Sequence, residues 1–293
     1  MTGFNQLFGS VAFWVPVFVL TLALSIIPAC SLATGKTKPL ANSRSIELGT
    51  NFHHVVLRKP GYKTGQSPLR VYIEGDGRPF ISRTSIARDP TPKHAPVLAL
   101  WELDFGDAIY IGRPCYMGLA KLPECNVGVW TSGRYNGLIV ESMQSVAERY
   151  SGGRPIVLIG HSGGGTLAML IADRMSKQST GIAAVVTLSG NLDVVGWTEL
   201  HGYTALHQSD SPVDKLPLPD GIAQLHLVAG RDRKIPPYLT RKLANRLPAD
   251  SICEVSAYDH NCCWSHRWTK FLGALEKHLA TGGAGLGAAC EVF

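Results

Sequence analysis

The densest chemistry in the sequence lies at Gly160-His161-Ser162-Gly163-Gly164, directly after the apolar run PIVLIG (155–160) and directly before a segment with helical periodicity. A G-x-S-x-G pattern between strand and helix sets its serine on a sharp turn, with the hydroxyl clear of the sheet. Side chains two residues to either side would collide with so tight a turn, which accounts for Gly160 and Gly164. The N–H of Gly163 is expected to face the place where an oxyanion would form, and the helix N-terminus behind it favours negative charge there. The same glycines, Gly163-Gly164-Gly165-Thr166-Leu167-Ala168, also read as the dinucleotide fingerprint G-x-G-x-x-A. Several strands precede them, however, whereas that fingerprint usually opens its fold. No lysine follows the glycines, so a Walker loop is excluded.

A serine hydroxyl is a poor nucleophile until a base takes its proton. Two downstream positions can supply one. The run AQLHLVAG (223–230) leads into Arg231-Asp232-Arg233, and ICEVSAY (252–258) leads into Asp259-His260-Asn261. Asp232 and His260 therefore each follow the carboxyl end of a strand, where ligands and catalytic groups gather in open α/β sheets. They lie 28 residues apart, room for one helix and one strand. The blander readings are a surface-loop histidine and a helix cap ahead of Pro236. Asp193, after the preceding strand, is the rival acid. A second oxyanion donor is expected from Tyr72-Ile73-Glu74-Gly75-Asp76-Gly77, through the N–H of Asp76, with its carboxylate turned away. His260, Cys262, Cys263 and His266 could hint at a metal. Adjacent cysteines on one ion would be strained, and the spacing matches no common zinc pattern. No metal and no cofactor are expected. His53 and His54 are strand neighbours facing opposite ways, so they do not chelate.

The elements that must position these residues follow from periodicity. Short apolar runs at 54–58, 70–75, 107–112, 155–160, 183–190, 223–230 and 252–258 alternate with helical candidates near 94–103, 136–150, 164–177, 235–247 and 264–280. Strands apolar on both faces, alternating with helices, predict a parallel sheet covered on both sides. On 164–177, Leu167, Leu170, Ile171 and Met175 share one face. Two connections, 113–135 and 191–222, are too long for simple turns. The second carries Trp197, Tyr203 and Leu206 and reads as a packed lid.

The chain has 293 residues and a formal net charge of +6. Lys and Arg are scattered, which gives nucleic-acid binding little support. The first charged side chain is Lys36, and the run from Val11 to Cys30 is long enough to span a bilayer. It reads as a cleaved signal, an uncleaved anchor or a lipoprotein signal; a buried core helix is disfavoured by the absence of a polar face. Ile27-Pro28-Ala29-Cys30 resembles a bacterial lipobox, in which Cys30 is acylated. The expected organisation is an anchor or signal at 1–30, a tether at 31–50, an α/β domain at 51–280 and a flexible Gly/Ala-rich tail at 281–293. The chain is expected to be exported and held at the cell envelope through its N-terminus. Six cysteines remain for disulfides in that compartment. Spacing favours Cys115 with Cys125 and leaves Cys253, Cys262, Cys263 and Cys290 open.

On IEGDG (73–77), GRPC (112–115), WTSGRY (130–135), GHSGGG (160–165), GNLD (190–193), GRDRKIPP (230–237) and DHNCCW (259–264), the chain resembles the α/β hydrolases from about Phe52 to Ala280. More narrowly it resembles bacterial hydrolase-fold lipoproteins of uncharacterised substrate. The resemblance implies the α/β-hydrolase fold, a mostly parallel twisted sheet with helices on both faces and a small lid. It also implies a triad of Ser162, Asp232 and His260 in that chain order. The expected activity is hydrolysis of a carboxylic ester, of a small molecule or a lipid, through an acyl-enzyme. Arg113, Trp130 and Arg134 are expected at the pocket mouth, binding substrate. Peptidase or acyltransferase chemistry on the same triad, and a non-catalytic binding protein that kept the fold, are the alternatives.

Overall fold

Leu69–Ile73 and Ile156–His161 are buried at every position, as strands must be when helices cover both faces of a sheet. In the computed structural model, which describes residues 44–59, 65, 67–177, 181–281 and 286–293, they are two of eight strands. In chain order these are β1 (Arg44–Leu48), β2 (His53–Arg58), β3 (Leu69–Ile73), β4 (Ala108–Ile111), β5 (Ile156–His161), β6 (Ile182–Leu188), β7 (Ala223–Ala229) and β8 (Ile252–Val255). They form one sheet in the order β1-β2-β4-β3-β5-β6-β7-β8. Only the β1–β2 and β2–β4 pairings are antiparallel. From β4 to β8 the strands run parallel, so their carboxyl ends share one edge.

Period-2 alternation divides each strand between two cores. Val71 and Ile73 pack with helices α2 (Gly137–Ser151) and α3 (Gly163–Ser176), while Tyr72 faces the other way, towards α1 (Pro96–Leu103) and α6 (Trp268–Thr281). The helical stripe Leu167, Leu170, Ile171, Met175 is buried as its spacing requires. The mostly parallel sheet with helices on both faces is thus the expected one. Two shorter helices, α4 (Val194–His201) and α5 (Pro237–Arg241), follow β6 and β7.

The boundaries differ in three places. Arg44–Leu48, read as the end of a tether, is an edge strand on β2; its half-exposed face hides the apolar signal. The helix expected over 235–247 stops at Arg241 and continues as turns. Of the tail, read as flexible, residues 286–293 are packed: Leu286–Val292 forms a 3₁₀ turn with Leu286 and Ala289 buried, and the Phe293 ring lies 5.6 Å from that of Phe271. Its glycines and alanines carry too little apolar surface for periodicity to reveal this, and the fastening is covalent, Cys253 to Cys290. Cys115 pairs with Cys125 as expected, and Cys262 with its neighbour Cys263, leaving no free cysteine among the described residues. All described residues belong to one compact unit, Gly35–Phe293. The apolar run, Cys30 and the rest of the expected anchor lie outside the described residues. No described helix is long and apolar enough to cross a membrane.

The two longer bridges close loops of 10 and 37 residues in sequence separation. On the chain-entropy scale they stabilise by about 2–3 and about 3–4 kcal/mol respectively. Urea unfolding should therefore show the Cys253→Ala/Cys290→Ala variant losing more stability than Cys115→Ala/Cys125→Ala. The opposite order would mean the tail contributes little to holding β8.

Candidate active site

Gly160 ends β5 because nothing larger fits. A Cβ there would strike the backbone of Gly164, and a Cβ on Gly164 would strike the carbonyls of Ile73 and Glu74 on β3. This close approach forces Ser162 into φ 53°, ψ −120°, a strained conformation for a residue with a side chain. The turn is held from several sides. Ser162 N–H donates to Leu188 O (2.9 Å), while its own carbonyl accepts from Gly165 N–H (3.0 Å) and Asn191 N–H (3.2 Å). Ser162 thus stands half-buried at the carboxyl end of β5, as the motif requires.

Asp232 and His260, from the loops after β7 and β8, come together. His260 Nδ1 lies 2.8 Å from Asp232 Oδ2, and both residues are buried. A carboxylate can only accept, so Nδ1 carries the proton and Nε2 of the neutral ring is left with its lone pair. Asp232 Oδ1 accepts from Lys234 N–H (2.8 Å) and Ile235 N–H (2.9 Å), which fixes the acid. Burial raises this carboxyl, but the bond and charge of His260 together with the bonds from Ile235 N–H and Ser189 outweigh it and lower it. The rival, Asp193, is occupied elsewhere: it caps α4 through Gly196 N–H (2.9 Å) and pairs with Lys242.

His161, which sequence reading passed over as the variable residue of its motif, joins these loops. Its Nε2–H donates to the carbonyl of His260 (2.6 Å), and the two rings lie 4.7 Å apart. Burial, and then the neighbouring His260, push it down to about 3, so it remains a neutral donor. A histidine beside the serine was the available signal.

The expected substrate contacts from Arg113, Trp130 and Arg134 are corrected: all three side chains are buried. The arginines are drawn inward by Asp76, whose carboxylate accepts from Arg113 Nη1 (2.5 Å), Arg134 Nη1 (2.8 Å) and Tyr135 Oη (2.7 Å). Trp130 packs in the core beneath them. Nor does the Asp76 side chain turn away from the serine loop; a Cβ on Gly163 would strike it. Burial would raise its carboxyl, but Arg134, Arg113 and Tyr135 together hold it well below the usual carboxylate range. Tyr116 Oη donates to the Asp76 carbonyl (2.9 Å), so the loop after β3 is fixed by backbone as well as side chain.

The segment 191–222, read as a lid, contains α4 and is fastened to the acid loop: Trp197 Nε1 and His201 Nε2 each lie 2.8 Å from Lys234 O. The candidate metal cluster dissolves, since Cys262 and Cys263 bond each other. His54, buried and pushed down to about 4 by burial, contacts Ser142 Oγ (2.8 Å), while His53 faces Glu124.

No protein-family model matches the sequence, and no curated protein matches it. Solved structures do. A putative hydrolase from Agrobacterium vitis matches 79% of this chain and 98% of its own at 13% identity, with a TM-score of 0.56. Mouse alpha/beta hydrolase domain-containing protein 10 matches 82% and 100% at 16% identity, TM-score 0.54. A bacterial membrane phospholipase A matches 82% and 86% at 14% identity, TM-score 0.51. Likeness at such identities establishes the fold, and the fold is that of the α/β hydrolases.

The buried charge cluster yields a test. Removing one partner of a buried ion pair leaves the others uncompensated, so Asp76→Asn should cost about 3–5 kcal/mol in urea unfolding. Asp76 and Asp232 both titrate below their unfolded values, so their stabilisation is present above about pH 4 and is lost as pH falls through the folded values. Wild-type stability should drop steeply on acidification, and the Asp76→Asn variant less steeply. Parallel pH profiles would show that Asp76 carries no such linkage.

Proposed function

We propose that this α/β-hydrolase-fold chain is a serine hydrolase of carboxylic esters. The observation that carries the reading is a strained, half-buried Ser162 beside a loop in which Asp232 fixes the tautomer of His260. Ser162 Oγ attacks the acyl carbon while His260 Nε2 takes its proton. The proton passes to the departing alcohol as the tetrahedral intermediate collapses to an acyl-enzyme. Water, deprotonated by the same imidazole, then releases the acid and restores the serine. The N–H groups of Gly163 and Asp76 hold the oxyanion. Arg113 and Arg134 act here as positioning residues, keeping the Asp76 loop in place and neutralising its carboxylate. A membrane phospholipase A among the fold neighbours is compatible with lipid esters as substrates.

The chain works at the cell envelope on this reading, exported and tethered through an acylated Cys30. Mass spectrometry of membrane-fraction protein should find a diacyl- or triacyl-modified N-terminal cysteine; an unmodified Cys30 within an intact leader would replace the lipid with a plain anchor.

A fluorophosphonate probe should label Ser162, and Ser162→Ala should abolish labelling. Asp232→Asn should lower aryl-ester turnover by on the order of 10⁴ while the chain stays folded. Asp193→Asn, which keeps an oxygen to cap α4 and loses only the ion pair with part-exposed Lys242, should keep most turnover and lose about 1 kcal/mol of stability or less. If the two variants exchanged these effects, Asp193 would be the acid; if neither wild type nor variants labelled, the fold would be serving a non-catalytic role.

A further inference from the structure

Between Gly77 and Pro90 the chain makes an excursion, RPFISRTSIARD (78–89), that begins two residues after Asp76 on the same sheet edge as Ser162. It is a built hairpin. At its base Arg78 N–H donates to Pro90 O (2.7 Å) and Ala87 N–H to Pro79 O (2.9 Å); nearer the tip, Ile81 N–H donates to Ser85 O (2.7 Å). Phe80 and Ile86 pair across it, and Ala87 is buried beneath. Yet Phe80, Ile81 and Ile86 are 40%, 58% and 39% exposed. Arg78, Arg83 and Arg88 stand exposed among them. Among the described residues no acid pairs with any of the three. The one carboxylate in the excursion, Asp89, accepts from Thr91 N–H (2.9 Å).

Bulky apolar side chains left exposed on a turn cost free energy in water and mark an interaction surface. Cations interleaved with them complement a negatively charged interface. Arginines settle at headgroup level on their apolar stems while neighbouring apolar groups enter the acyl boundary. We infer that the 78–89 hairpin is a docking element for an anionic lipid bilayer, and that it turns the carboxyl edge of the sheet, with Ser162, towards the membrane surface. The surface stands on its own; the consequence that the ester substrate is a membrane lipid rests on the hydrolase reading above.

Full-length chain placed in nanodiscs of phosphatidylcholine, with or without phosphatidylglycerol, allows the hairpin to be read by hydrogen–deuterium exchange. Amides of Ser82, Arg83 and Thr84 should exchange more slowly on the anionic discs, by about fivefold for each arginine engaged. Arg83→Glu/Arg88→Glu should remove the difference, and Phe80→Ser/Ile81→Ser should reduce protection on both discs, at an unchanged thermal midpoint. Equal exchange on the two discs, or protection that appears without lipid and grows with protein concentration, would overturn the proposal; the latter would make the hairpin a protein contact. Labelling of Ser162 is read on the same samples. Protection without labelling keeps the surface and removes the hydrolase reading, whereas labelling without protection does the reverse.

Discussion

At Ser162 the backbone is bent into a conformation that a residue with a side chain adopts only under compulsion, and the compulsion is proximity. β5 and the start of α3 approach β3 so closely that Gly160 and Gly164 touch backbone where any Cβ would sit. The sheet edge is organised around that approach. The carbonyl of Ser162 gathers amides from the helix and from Asn191 after β6, so the turn is braced by the strands on either side of it. Loosening any of these contacts would let the serine relax towards ordinary backbone angles and withdraw its hydroxyl from the edge.

Electrostatics poses a second constraint beside the first. Asp76 is charged and almost enclosed, and an isolated carboxylate in such a place would neutralise itself by taking a proton. Two guanidiniums and a phenol, Arg113, Arg134 and Tyr135, come from the long connection after β4 to prevent that. The connection 113–135 thus supplies, from both its ends, the groups that hold a carboxylate after β3. Ser209 and Asp210 of the 191–222 segment bond the Tyr135 backbone, which ties the second long connection to the first.

How much of this was legible depended on whether the determinant was local. The strands, the helical stripe on α3 and the serine turn are short-range patterns, and they stand where the sequence puts them. Asp232 and His260 were legible because strand ends are recognisable and catalytic groups gather there. Long-range partners were not. Nothing in GRPC or WTSGRY says that Arg113 and Arg134 turn inward, since arginine is usually exposed and only the half-buried Asp76 reverses the preference. Edge strand β1 carries half-exposed residues without an apolar run, and the tail owes its order to a bond between residues 37 apart. Sequence could not separate Asp232 from Asp193 because both follow strand ends; in the structure one faces a histidine and the other a lysine.

His161 grips its neighbour by the main chain and leaves the side chain alone. Because the bond is made to the carbonyl of His260, it holds that loop without using the imidazole the loop carries. The two contacts are therefore separate, one made to Asp232 by the ring of His260 and the other to His161 by its main chain.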